Sequence, residues 1–198
     1  MREMIKMVVV LTIISLASGG LLAALRDGTQ ERIDNQVLEF VKGPAVRDIL
    51  KAAANDPISS RFQIKDGEVL RTFFVAVIDG KPRGVALESS GKGYGGDVGL
   101  MVGIDVADNK ILGVGVTTMS ETPGLGARAK SDPKFVAQFK GRPMTDPVKV
   151  TQDGGPINAI SGATITSRAV SSGVADALAL YERLKPQIID KMKDVKTK

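Results

Sequence analysis

Hydrophobic and polar positions divide this 198-residue chain into stretches with different periodicities. Residues 7–25 carry no charge, residues 29–54 repeat apolar positions at helical spacing, and residues 61–118 alternate short apolar runs with turn dipeptides. An uncharged stretch of this length is close to the roughly 20 apolar residues that cross a bilayer as a helix. The pattern predicts an N-terminal transmembrane helix, a helical lead-in and a domain built on a sheet.

The first apolar stretch has two interpretations. Basic residues flank it on both sides, so the charge bias that orients a membrane helix is weak. A cleaved signal peptide would have a shorter apolar region, and residues 17–19 (ASG) form only a modest cleavage site. We favour a retained single-pass anchor over residues 1–28, with the remaining chain outside the cytoplasm, and the signal peptide stays the alternative.

The next segments predict an α+β domain. Residues 29–57 form a helical lead-in that breaks at Gly43-Pro44, because Pro44 suits the first turn of a second helix. Turn dipeptides such as Asp66-Gly67 and Asp79-Gly80 separate the strands that follow, which predicts antiparallel neighbours. The predicted strands cover about residues 62–64, 69–78, 83–89, 98–105 and 111–117.

Helices are predicted to flank this antiparallel sheet. Ser131 caps a short helix that ends at Gly141, and a last helix covers residues 167–184. The predicted domain spans residues 58–185 and is followed by a Lys-rich tail over residues 186–198. The predicted buried stripe of the last helix consists of Val170, Val174, Ala177, Leu178, Tyr181 and Leu184.

Composition excludes several kinds of chemistry. The chain has no Cys and no His, which rules out a Ser-His-Asp triad and zinc sites with those ligands. The net charge is +5, but the basic residues are scattered and aromatic residues are few, so nucleic acid is not an expected partner. Asp97, Asp105 and Asp108 lack the spacing of a calcium loop and fit turn chemistry.

The segment SGATITS at residues 161–167 carries the strongest indication of function. Gly162 tolerates backbone angles that are closed to other residues, and the start of a helix offers unpaired N–H groups and the positive end of a dipole. Hydroxyl side chains sit in the same turn, so the segment is typical of a phosphate site. A simple helix cap accounts for one hydroxyl of the segment.

Two glycine-rich segments accompany it. Residues 121–126 (ETPGLG) predict an open loop that presents N–H groups at Leu125, Gly126 and Ala127, with Arg128 and Lys130 available to an anion. Residues 91–96 (GKGYGG) match the spacing of a dinucleotide-binding motif, but a strand follows them where that motif needs a helix. The second segment is either a plain loop or one that lets a flat ligand approach the backbone.

The combination of SGATITS and SETPGLG resembles the FMN-binding domain of the G subunit of Rnf-type ion-pumping electron-transport complexes. The C subunit of the sodium-pumping NADH:quinone oxidoreductase is similar. The resemblance implies FMN bound covalently, through a phosphoester to Thr164 that a separate flavin transferase makes. The cofactor-binding residues that it implies are Thr164, Ser161, Gly162, Ala163, Thr166, Glu121, Thr122, Pro123, Gly124, Leu125, Gly126, Gly93 and Tyr94.

The same resemblance implies a flavoprotein that relays electrons among the other membrane subunits of such a complex. It places the chain in the inner membrane, with its domain on the periplasmic side. Two positions depart from the family pattern: Asn158 replaces an Asp, and Met119 stands where His is frequent. The alternative is a noncatalytic extracytoplasmic module that binds FMN or senses redox state.

Overall fold

The computed structural model describes residues 1–194 and divides into two compact units, Met1–Phe40 and Val41–Lys198. The first unit is helix α1 (Arg2–Gln36) with the start of the turn that follows it, and no residue of α1 is buried. Within residues 1–194, a single helix is long and apolar enough to cross a membrane, and its apolar stretch lies near the N-terminus.

The predicted break at Gly43-Pro44 is wrong. A π-helical turn covers Val37–Lys42, and helix α2 (Gly43–Ile49) follows it with Pro44 in the first turn. Proline lacks the N–H that would bond to the carbonyl four residues earlier, and its ring crowds that carbonyl. A widened turn ahead of the proline accommodates both effects, so the helical backbone continues where the sequence indicates an end.

The predicted antiparallel sheet is confirmed, and its strands follow one another in sequence order. The two-residue turn at Asp79-Gly80 has positive φ at both positions, 52° and 72°, which matches the twist of the strands that it joins. The third strand extends to Lys92, so it includes the first part of the glycine-rich segment. The strands are β1 (Arg61–Asp66), β2 (Val69–Ile78), β3 (Lys81–Lys92), β4 (Asp97–Asp105) and β5 (Lys110–Val116).

Helices cover both faces of the sheet. Alternate residues of β3 and β4, such as Val85 and Leu100, form the main core with the last helix, α5 (Thr164–Lys193). On the other face, Ile49 of α2 lies close to the backbone of Gly103 and Gly113. Alternation of side chains across the strands therefore gives the sheet two buried faces.

Helix α5 is longer than predicted at both ends. It begins at Thr164, inside the SGATITS segment, and its predicted buried stripe is confirmed at all six positions. Ile188 and Met192 continue that stripe at helical spacing beyond Leu184, so the helix passes through the predicted boundary at residue 185. Residues 195–198 of the predicted Lys-rich tail lie outside the described residues.

Two short helices precede α5. Helix α3 (Arg128–Ser131) ends where the sequence predicts a cap, and α4 (Pro133–Ala137) follows one residue later. The residue that caps α4 is Asp132, whose carboxylate accepts the N–H of Lys134 at 3.0 Å. The prediction of Ser131 as the cap is wrong, because the residue directly before Pro133 occupies that position and carries the acceptor.

Candidate functional site

One carboxylate joins the three motif segments. Glu121 accepts the N–H groups of Tyr94 at 2.8 Å and Gly95 at 3.1 Å through one oxygen. Its other oxygen accepts the hydroxyl of Thr166 at 2.8 Å. Segments that are 26 to 45 residues apart in sequence therefore meet at a single side chain. The sequence predicts that Glu121 contacts the cofactor. In the structure, the hydrogen bonds of its side chain join the three segments.

The loops approach one another closely at Gly126. A Cβ atom there would lie 2.7 Å from the hydroxyl oxygen of Thr166 and 2.8 Å from the Cβ of Glu121, well inside ordinary contact distances. Any larger residue would push the loop away from the start of α5. The glycine is thus needed for the packing that brings the ETPGLG loop beside the SGAT turn.

The SGAT turn leads directly into Thr164, the first residue of α5. Gly162 has a φ of 78°, a conformation that favours glycine, and it reverses the chain just ahead of the helix. Ala163 is buried beneath the turn, whereas Ser161 is exposed and Thr164 is half-buried as the first residue of α5. Among residues 1–194, no side chain caps this helix start. Its first N–H groups and its dipole therefore favour an anion.

The remaining hydroxyls of SGATITS face inward. Thr166 is 2% exposed and bonds to Glu121. Ser167 is fully buried; its hydroxyl accepts the N–H of Ile160 at 2.9 Å and donates to the carbonyl of Ala163 at 3.0 Å. These two hydroxyls satisfy buried polar groups of the fold, and the contact of Thr166 with a cofactor stays a prediction.

Three exposed residues in or beside the motif segments have large apolar side chains. Tyr94 is 76% exposed, and Leu125 and Ile165 are each 48% exposed. A Cβ atom at Gly162 would lie 3.4 Å from Cδ2 of Leu125, so the ETPGLG loop lies beside the SGAT turn. Exposed apolar side chains beside an open helix start suit a ligand that has a flat ring and a phosphate. The residues present therefore fit FMN.

Several groups expected to meet an anion are engaged elsewhere. The N–H groups of Leu125 and Ala127 both bond to the carbonyl of Thr122 at 3.2 Å, because the loop folds into consecutive turns. Lys130 donates to the carbonyl of Thr117 at 2.8 Å. Thr122, Pro123 and Gly124 are exposed, and the expectation that this loop presents free amides is wrong for Leu125 and Ala127.

Two contacts near the turn have no counterpart in the motifs. Arg168 bonds to both carboxylate oxygens of Asp153 at 2.8 and 2.7 Å, and this hydrogen-bonded pairing holds the pKa of Asp153 below its usual value. The amide of Gln138 accepts the N–H of Asn158 at 2.7 Å and donates to its carbonyl at 3.1 Å. Both contacts fix the segment that leads into the turn, and neither could be found without knowing which helices lie beside it.

The departures from the family pattern lie in different surroundings. Asn158 is exposed and lines a cleft of about 380 Å³ together with Arg128, Lys134 and Ser161. Met119 is partly buried against the main core. The first position is thus accessible to another protein, and the second contributes to packing.

Comparison with known proteins defines the class of this domain. Residues 93–179, which contain the ETPGLG and SGATITS segments and most of GKGYGG, match the family model of the FMN-binding domain. The fold is similar to the C subunit of the Na⁺-translocating NADH-quinone reductase from Parabacteroides distasonis, with a TM-score of 0.57, 22% identity, and coverage of 80% of this chain and 96% of that one. This is the fold of an FMN-binding domain.

The sequence relatives identify the family. The G subunit of the ion-translocating oxidoreductase complex of Cereibacter sphaeroides is 34% identical over 189 residues, which cover 90% of this chain and 84% of that protein. The G subunit of the proton-translocating ferredoxin:NAD(+) oxidoreductase complex of Clostridium ljungdahlii is 34% identical over 134 residues, covering 66% and 69%. The chain belongs to the family of G subunits of ion-translocating oxidoreductase complexes.

Proposed function

We propose that this chain is a membrane-anchored flavoprotein subunit that carries FMN on Thr164 and relays electrons within an Rnf-type complex. The observation that carries the proposal is the geometry of the SGAT turn, where the Thr164 hydroxyl stands at an uncapped helix start. The neighbouring hydroxyls of Thr166 and Ser167 are already bonded inside the fold. The G-subunit relatives support the assignment to a complex.

The protein's part in this function is to hold and position the cofactor. The helix start of α5 stabilises the phosphate, and Glu121 keeps the Gly93–Tyr94 loop against the ETPGLG loop. The apolar side chains of Tyr94, Leu125 and Ile165 shield a ring from water. FMN supplies the electron-transfer chemistry when it is bound. A covalent bond suits a domain outside the cytoplasm, where free cofactor is too scarce to keep a noncovalent site filled.

A gel experiment tests the attachment. The full chain, expressed with a flavin transferase, should carry flavin fluorescence through a denaturing gel and gain the mass of one FMN ester. Thr164→Ala should lose both signals, whereas the matched variant Ser161→Ala should keep them. Fluorescence that persists in Thr164→Ala contradicts the proposal.

The Asn158 position offers a second test of maturation. If the transferase recognises an acidic residue there, Asn158→Asp should raise the fraction of chain that carries flavin. The side chain is exposed, and the backbone of Asn158 is held by Gln138, so the variant should leave the fold unchanged. Equal loading of the two proteins under limiting transferase would show that the departure has no effect.

Isolation from native membranes tests the place in a complex. The proposal expects the chain to be recovered with several integral-membrane redox subunits. Recovery alone, or with a regulator only, would favour the alternative of a redox-sensing module. A separate experiment tests the side of the membrane. A protease is added to cells whose outer membrane is permeabilised and whose inner membrane is intact, and it should cut the domain if the domain lies on the periplasmic side.

A further inference from the structure

Strands β2 and β3 separate halfway along their length. Their paired residues run from Phe73 opposite Leu87 to Ile78 opposite Lys81. Residues 69–72 of β2 pair only with β1, and residues 88–92 of β3 pair only with β4. The gap between the separated halves contains a cavity of about 630 Å³, which lies outside the motif loops. Two strand edges within one sheet therefore face each other without pairing.

The backbone of β3 points its bonding groups into this gap. Gly99 of β4 donates its N–H to Thr118 at 2.7 Å, and its carbonyl accepts the N–H of Thr117 at 2.9 Å, so both groups are used on the side away from β3. Bonded and non-bonded pairs alternate along antiparallel strands. Ser90, which lies opposite Gly99, therefore directs its N–H and carbonyl toward the gap, and so does Glu88 two residues earlier.

The backbone of β2, on the opposite side of the gap, also directs hydrogen-bonding groups into it. The N–H of Val75 bonds on the β1 side, to the carbonyl of Ser60 at 2.9 Å. By the same alternation, Thr72 and Leu70 direct their backbone groups toward the gap. Leu70 is 58% exposed, so this edge is open to an incoming chain.

Basic and acidic side chains both line the cavity: Lys42, Arg71 and Arg183 are basic, and Glu88 and Asp176 are acidic. Lys42 lies 2.7 Å from Glu88, and Arg183 lies 2.7 Å from Asp66. Arg71 also faces Asp66, but its Nε atom is 3.8 Å from the nearest carboxylate oxygen. That Nε atom is buried and has no hydrogen-bond partner among residues 1–194. Arg71 therefore keeps one donor atom that no acceptor among residues 1–194 satisfies, although its charge lies near Asp66.

We infer that this gap binds an extended segment of another polypeptide, which pairs with the edge of β3 and places a carboxylate side chain against Arg71. Open strand edges recognise extended chains through main-chain bonds, and a guanidinium supplies specificity for a carboxylate. Residues 88–92 lead directly into the Gly93–Tyr94 loop that Glu121 holds. The segment therefore docks next to the candidate flavin site. The inference rests on the proposed function only for the existence of a partner subunit.

Photo-crosslinking in the native complex tests this inference. Benzoylphenylalanine is introduced at Ser90 or Ala179, which are exposed at the cavity, and at Lys81, an exposed position at the other end of β3. The full chain replaces the native copy in its own membranes, and mass spectrometry identifies the adducts. The expected result is one segment of one protein, containing Asp or Glu, captured from both Ser90 and Ala179 but not from Lys81.

Two substitutions distinguish a specific contact from proximity. Arg71→Gln should reduce the yield about tenfold, which corresponds to the loss of one hydrogen bond to a charged group. Changing the captured Asp or Glu to its amide in the partner should reduce the yield equally, with this chain unaltered. The second variant keeps the test decisive if Arg71→Gln does not fold.

The contrary outcomes are equally clear. Adducts with lipid alone, yields no higher than at Lys81, or yields that neither substitution changes would overturn the inference. Flavin fluorescence is read from the same gels. Loss of flavin with the adduct retained would count against the proposed function and leave the docking site standing.

Discussion

Two carboxylates at opposite ends of the sheet accept the same number of backbone N–H groups but have different structural roles. Asp105, at the end of β4, accepts the N–H groups of Ala107 and Asp108 at 3.0 and 3.1 Å, and its third donor is the guanidinium of Arg83. Glu121 accepts two N–H groups from a distant loop, and its third donor is a hydroxyl, that of Thr166. Asp105 is paired with a cation, whereas Glu121 bonds to distant segments and has no cationic partner among residues 1–194.

The difference shows how the same chemistry stabilises a turn at one end and assembles a site at the other. The turn after β4 would form with its strands in any case, so Asp105 reinforces a structure that is already close in sequence. The segments around Glu121 are distant in sequence, and its hydrogen bonds join all three of them. Loss of Glu121 should therefore affect the site, whereas loss of Asp105 should affect stability alone.

The largest effect is expected from Glu121→Ala. The variant leaves the buried hydroxyl of Thr166 without its acceptor and frees two loop amides. We expect the free energy of unfolding to fall by about 3 kcal/mol, since hydrogen bonds to charged groups contribute about 1.5–3 kcal/mol each. Urea unfolding in detergent measures the stability, and the flavin-to-protein ratio after transferase treatment should fall as well.

Asp105→Ala is the matched control for that experiment. It should lower stability by a similar amount, because Asp105 is 7% exposed and its removal takes away one of the two carboxylates that pair with Arg83. Flavin loading should stay at the level of the unchanged protein. Equal loss of loading in the two variants would mean that instability, and not the position of the loops, controls attachment.

The next effect depends on pH and concerns Asp105→Asn. Burial acts to raise the pKa of Asp105, but the hydrogen bond from Arg83 and the two backbone donors outweigh it, and the net pKa is lowered. A lowered pKa in the folded state means that the charged form adds stability above the unfolded pKa of about 3.9. This stability is lost as the pH falls through the folded pKa.

The unchanged protein should therefore exceed Asp105→Asn by about 2 kcal/mol at pH 7, and the difference should shrink below about pH 4. Urea unfolding at pH 7, 5, 4 and 3 measures both proteins. A difference that stays constant down to pH 3 would show that the lost contact is steric and does not depend on the charge.

A smaller effect is expected from Thr166→Val, which removes one donor to Glu121 and keeps the volume of the side chain. The loss should be about 1 kcal/mol, the typical value for one hydrogen bond, with a modest fall in flavin loading. Thr166→Ser restores the donor and should recover most of both losses. If Val and Ser behave alike, the hydroxyl does not link the helix to the loops.

The local carboxylate is also the one that sequence reasoning explains. The sequence predicts Asp105 and Asp108 as turn residues, and the turn is confirmed, because an Asp two or three residues before its donors is a short-range pattern. Turn dipeptides and alternating apolar positions likewise predict all five strands, and helical spacing predicts the stripe of α5. These patterns act between neighbours in the chain, so the sequence displays them directly.

The long-range contacts could not be predicted in the same way. The sequence places Glu121, Gly93 and Thr166 in one site through a resemblance, but it does not indicate that Glu121 joins the other two. Gln138 and Arg168 carry no local pattern that points to Asn158 or Asp153. The hydroxyls of SGATITS look alike in the sequence, and only the packing of α5 on the sheet divides them into inner and outer groups.

The smallest effect is expected at Tyr181. Its buried hydroxyl contrasts with the two carboxylates, which each accept several hydrogen bonds. Its hydroxyl has no hydrogen-bond partner among residues 1–194, and burial, aided by the charge of Glu182, raises its pKa to about 12. A buried polar group without a partner costs free energy, so Tyr181→Phe should leave the protein equally stable or raise its free energy of unfolding by up to about 1 kcal/mol. The ring remains in place beneath Lys185, whose Nζ atom lies 5.6 Å from the ring centroid.

Tyr181→Leu, which also removes the ring, should lower stability by about 2 kcal/mol through the cavity that it leaves. Should Tyr181→Phe instead lose about 1 kcal/mol or more, the typical value of one hydrogen bond, the hydroxyl has a partner in solution.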